Sequence, residues 1–123
     1  MAGSREQLML DVLRQLREDN PGVEAAVLIS SDAMPLASDV SDSTNEEVVS
    51  ALSSSLLSSC ERAARDLFRG DVEQVYLRGE SGDLVVVKVN DDAVLACTVD
   101  RSAKMGMTLL EVNRCAQNLS QII

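Results

Sequence analysis

Thr44-Asn-Glu-Glu-Val-Val-Ser-Ala-Leu-Ser-Ser-Ser-Leu-Leu-Ser-Ser-Cys-Glu-Arg-Ala-Ala-Arg-Asp-Leu-Phe-Arg69 reads as one long helix. At about 100° per residue, Val48, Val49, Leu52, Leu56, Cys60, Ala63, Ala64 and Leu67 share one side; Leu57 and Phe68 widen the apolar arc to about 200°. Covering a single core takes a stripe of only roughly 100°. Ser53 and Ser59 lie inside the arc, with Ser50, Ser54 and Ser58 at its border, and side chains this small let another backbone come close. One flank therefore serves the helix's own core, and the surplus flank predicts association. The expected role is recognition rather than chemistry. Thr44 and Glu47 make a T-x-x-E capping box at the start, Glu46 and Glu47 suit the positive end of the helix dipole, and Gly70 supplies the stop.

Working outward from this helix, Ser4 and Gln7 form an S-x-x-Q box, and Leu8, Val12, Leu13 and Leu16 give a first helix its apolar face, ended by Asn20-Pro21-Gly22. Glu24 to Ser30 is an uninterrupted apolar run between turn residues, the pattern of a central strand covered on both faces. Ser31-Asp32-Ala33 turns the chain into a short strand from Pro35 to Ser38, which the proline restricts to an edge or a strand start. After the long helix, Val72 to Arg78 alternates like a half-exposed strand. Leu84 to Val89 and Ala93 to Val99 follow across the turns Gly79–Gly82 and Asn90–Asp92, so these three strands are antiparallel neighbours. Met105, Leu109, Val112, Ala116, Leu119 and Ile123 mark one narrow face of a final helix. The order predicts an α+β fold: a five-stranded, mainly antiparallel sheet between the long helix on one face and the two terminal helices on the other. With no internal repeat and no long linker, residues 1–123 are read as a single domain.

The bulk numbers narrow the partners. A hydrophobic share of 46% with 25% charged residues describes a folded chain rather than a disordered tail. A formal charge of −9 disfavours nucleic acid and direct binding to anionic membranes. With 2% aromatic residues there is no platform for stacking bases. Cys60, Cys97 and Cys115 are odd in number and dispersed, which fits small buried hydrophobes in a reducing compartment rather than a disulfide framework. The opening Met-Ala-Gly-Ser-Arg-Glu has no signal-peptide core and no run reaches the ~20 apolar residues of a membrane span, so a cytoplasmic location is expected.

A search for chemistry returns little. The chain has no histidine, which removes Ser-His-Asp and Cys-His catalysis and the commonest transition-metal ligand. Its glycines form neither GxGxxG nor GxxxxGK[ST], so it cradles no phosphate of its own. Asp39 to Glu47 loosely resembles a calcium loop but lacks the glycine at the sixth position and the regular acidic spacing; a solvated loop entering a capped helix accounts for every residue. Asp91-Asp92 is better explained as turn chemistry than as an acid/base pair. Cys60, mid-helix on the apolar side, is structural rather than reactive. No catalytic residue, metal ligand or cofactor site is assigned, and the chain is not expected to be an enzyme.

Val27-Leu-Ile-Ser-Ser-Asp-Ala-Met-Pro-Leu-Ala-Ser38, then Gly82-Asp-Leu-Val-Val-Val-Lys-Val, Ala93-Val-Leu-Ala and Ala103-Lys-Met-Gly106, resemble in order the fingerprints of the Roadblock domain family, on a profilin-like sheet. Ala33 stands where the family usually has a turn glycine, and Lys104-Met105 replaces Asn-Leu before Gly106. The resemblance, to single-domain prokaryotic, MglB-like members, implies a homodimer in which the long helices pack antiparallel and the third strands pair edge to edge. On that basis the seam is expected at Ser53, Leu57, Ala64, Gln74, Tyr76 and Arg78. It further implies that the dimer binds a small Ras-like GTPase and modulates its nucleotide cycle without itself supplying a finger. The expected contacts are Ser50, Ser54, Ser58, Glu61 and Arg65. Arg62 and Arg65 are read as surface ion-pair partners of Glu61 and Asp66. The alternative implied by the same family is a structural, light-chain-type subunit of a larger motor or signalling assembly. A sensor or enzyme on the same sheet is disfavoured by the missing histidine.

Overall fold

The computed structural model describes residues 4–123, so Met1, Ala2 and Gly3 of the opening stretch lie outside it. The elements run α1 (Arg5–Asp19), β1 (Val23–Ser30), β2 (Pro35–Val40), α2 (Glu46–Asp66), β3 (Gln74–Gly79), β4 (Gly82–Asn90), β5 (Ala93–Val99) and α3 (Met105–Ser120). The strands form one sheet in the order β2-β1-β5-β4-β3, with every neighbouring pair antiparallel. The predicted α+β architecture is the observed one.

Strand alternation divides the apolar residues between two cores. Val85, Val87, Leu95, Cys97 and Val99 meet Met9, Leu13 and Leu16 of α1 and Val112, Ala116 and Leu119 of α3. Val27, Ile29, Val75, Val86 and Ala96 face the other way and pack around Leu57 of α2. The unbroken apolar character of β1 follows, because α1 covers one of its faces and α2 the other.

Several local expectations shift. Met9 takes the core place expected of Leu8, which is left exposed beside it. Ser4 caps α1 by accepting from Gln7 N–H at 3.2 Å, but the Gln7 amide bonds Asp11 at 2.8 Å instead of closing the box. Asn45, not Thr44, caps α2: its Oδ1 accepts from the N–H groups of Glu47 (2.9 Å) and Val48 (3.2 Å). Thr44 is drawn back into the loop by Ser41, 2.9 Å away. The helix also stops before Gly70. Phe68 sits at φ 55°, with Phe68 N–H to Arg65 C=O (3.1 Å) and Arg69 N–H to Ala64 C=O (2.7 Å), a Schellman closure without its usual glycine. β3 begins at Gln74 rather than Val72, β2 extends to Val40, and α3 ends at Ser120, short of Ile123.

The turn before β2 holds Ala33 at φ 67°, the left-handed region that the expected glycine would occupy without strain. Replacing Ala33 with glycine is therefore expected to raise stability by about 1 kcal/mol. Thermal melts check this, and an unchanged or lower Tm would mean that the strain is not relieved there.

Candidate interaction surface

The wide arc of α2 splits lengthwise. Val49, Ser50, Ser53, Leu57 and Cys60 turn toward the sheet, where Ser50 and Ser53 are 0% exposed and Leu57 is 8% exposed. Ser50 Oγ donates to Glu46 C=O at 2.8 Å, while Ser53 Oγ has no partner among the described residues. These serines let the helix lie close to its own sheet. Ser53 and Leu57 thus cannot form the seam expected of them, and Ser50 cannot touch a GTPase, because each is enclosed within the protomer. The remaining half of the arc faces outward: Leu52 is 63% and Phe68 92% exposed, with Val48 and Leu67 also open. All four stand in the arc predicted from sequence. What spacing alone could not supply was which half the sheet would claim.

β3 is an edge strand whose one strand neighbour among the described residues is β4. Val75 faces the α2 side and is buried; Leu77, two residues on, shares that face but is exposed. Gln74, Tyr76 and Arg78 point to the other side. Gln74 accepts from the Asn113 amide at 3.1 Å. Tyr76 donates to buried Asp83 Oδ2 at 2.9 Å, and Arg78 donates to the Tyr76 oxygen at 3.4 Å. Ala64 is half-buried at the inner margin of the stripe.

The polar flank of α2 holds the other expected contacts. Ser54, Ser58 and Glu61 line a cleft of about 170 Å³ against Lys88, Asn90 and Asp91 at the β4–β5 hairpin. Glu61 pairs with Lys88 at 3.4 Å, so the strand lysine has taken the acid expected for the helical arginines. Arg62 and Arg65 form no ion pair among the described residues. Together with Arg69 they leave cationic side chains at the C-terminal end of α2, next to exposed Phe68, on a chain of net charge −9.

The other chemistry-bearing groups are occupied structurally. Asp39 pairs with Arg17 at 3.2 Å, Glu46 accepts from the Ser38 hydroxyl, and no cluster among the described residues is arranged to hold a metal ion. The three cysteines are free. Burial pushes the Cys115 thiol up to about 12, and burial together with the neighbouring Cys115 pushes Cys97 higher still, so both are inert. No helix is long and apolar enough to cross a membrane among the described residues.

Comparison with known proteins places the chain in a family. The uncharacterized protein MJ1340 of Methanocaldococcus jannaschii is 26% identical over 112 residues, covering 90% of this chain and 96% of that protein. The gliding protein MglB from Thermus thermophilus superimposes with a TM-score of 0.87 at 20% identity, over 99% of this chain and 93% of that one. The Roadblock/LC7 domain from Streptomyces avermitilis gives 0.85 at 24% identity, over 91% and 94%. At these identities the two structures speak for the fold alone. The family model for the Roadblock/LC7 domain matches residues 9–98, from Met9 of α1 to Thr98 in the central strand, and the chain belongs to the Roadblock/LC7 domain family.

Proposed function

We propose that this chain acts as a homodimer, and that the dimer binds a small Ras-like GTPase and modulates its nucleotide cycle. The observation that carries the reading is the exposed apolar half of α2 together with the open edge of β3. Two copies related by a two-fold axis would lay these stripes antiparallel and join β3 to β3, giving partners to backbone groups that a lone edge leaves free. Val48, Leu52 and Leu67 would form the seam with Ala64, Gln74, Tyr76 and Arg78. The GTPase enters through the resemblance to MglB-like members. Ser54, Ser58, Glu61 and Arg65 on the polar flank would meet it, with Arg62 and Arg69 adding positive charge. The dimer would work by orienting groups the GTPase already owns, so the gain comes from positioning.

The test mixes the purified protein with the Ras-like GTPases of its own source and follows complex formation and GTP turnover. A stable complex with turnover raised at least about tenfold, about 1.4 kcal/mol off the barrier, is the expected result. A complex with unchanged turnover supports the adaptor role instead. If none of those GTPases binds, the regulatory part of the proposal is lost, whatever the mass of the protein in solution.

A further inference from the structure

On the sheet face away from α2, α1 and α3 leave a groove of about 440 Å³ between them. Its floor is apolar: Leu8, Val12 and Leu16 from α1, and Ile122 beyond the end of α3, over buried Cys115. Leu8 is 43% exposed here, although it belongs to the apolar side of its helix.

The rim is acidic. Asp11 and Asp19 stand on α1 and Glu111 on α3. Glu111 is neutralised by Arg114 at 3.1 Å. Asp11 and Asp19 accept only from neutral amides, Gln7 at 2.8 Å and Gln15 at 2.9 Å, and neither forms an ion pair among the described residues. Of the cations of α1, Arg17 is committed to Asp39 of β2, while Arg5 stands three residues before Leu8 and Arg14 three residues after Asp11, and neither of these two forms an ion pair among the described residues. Asp11 and Asp19 thus border an apolar trough without an ion-pair partner among the described residues.

We propose that this groove docks a basic amphipathic helix of a partner protein. The volume admits a few side chains rather than a whole helix. The partner would therefore lie across the rims, with apolar residues at helical spacing on the floor and Lys or Arg beside Asp11 and Asp19. Anionic ligands are repelled by the same rim. The groove shares no residue with the outward stripe of α2, so both surfaces can be filled at once and this site does not depend on the proposed dimer.

The probe is a fluorescein-labelled peptide of about 14 residues, Leu on one helical face and Lys on the other, titrated with the full chain while polarisation is read. Saturable binding is expected, weakened at least about tenfold in the double variant Asp11→Lys/Asp19→Lys and in Leu8→Glu, and unaltered in Ser55→Glu on α2. All four positions are exposed, and melts confirm that each variant is folded. Equal affinity in the groove variants, equal affinity for a Leu/Glu peptide, or no saturable binding overturns the proposal. So does a groove that takes a small apolar dye but excludes the peptide.

Discussion

Leu57→Asp is expected to unfold the protein, whereas Leu52→Asp is expected to leave a folded chain that runs at half the mass of the parent in light scattering. Leu57 is 8% exposed and packs among Val27, Ile29, Val86 and Ala96; it also borders the cleft that holds Lys88, but that lysine is already paired with Glu61. An uncompensated buried charge costs roughly 3–5 kcal/mol, a large part of the total stability of about 5–15 kcal/mol for a typical domain. Leu52 is open to solvent, so the same change should alter protomer stability by no more than about 0.5 kcal/mol. Across the proposed two-fold seam, though, it would set two carboxylates near one another in an apolar contact. If the Leu52 variant keeps the mass of two chains, or the Leu57 variant melts like the parent, the division of the α2 arc is wrong.

The second large effect concerns the edge strand. Removing only the hydroxyl, Tyr76→Phe, is expected to cost about 2 kcal/mol, because Asp83 is buried and its other oxygen already lacks a partner among the described residues. The companion change Asp83→Leu should restore most of that loss in the double variant, since an apolar side chain leaves nothing unsatisfied. Denaturant titrations of the two single variants and the double variant give the coupling directly. Additive losses would show that the phenol and the carboxylate do not depend on each other.

The layers of the fold were legible because periodicity encodes them. Glu24 to Ser30 could be apolar throughout only if covered on both faces, and the short turns around Leu84 to Val89 left the strands little choice of neighbour. Local capping was less legible. Thr44 and Asn45 are adjacent and both suited to a cap, and only the loop hydrogen bond from Ser41 decides between them. Gly70 promised a helix stop, yet Phe68 adopts the left-handed turn two residues earlier. The surface was half legible. The excess width of α2 was plain from Val48 to Leu67, but Ser50 and Ser53 signal close approach without saying to what. A small residue admits a neighbour's backbone and its own sheet equally well, and here the sheet took it. The ion pair of Glu61 was hidden for a related reason: Lys88 is distant in sequence and comes near only once β4 crosses beneath α2.

The two rims of the sheet differ. The β2 rim opens on Pro35, which offers no N–H, and its pairing with β1 slips between Leu28 and Ile29; the β3–β4 ladder runs from Gln74 to Gly79 without interruption. Growth by strand addition at the regular rim would consume both regular rims in one step and leave guarded ones outermost. Such an assembly terminates itself at a pair, and a concentrated solution should stay free of fibrils.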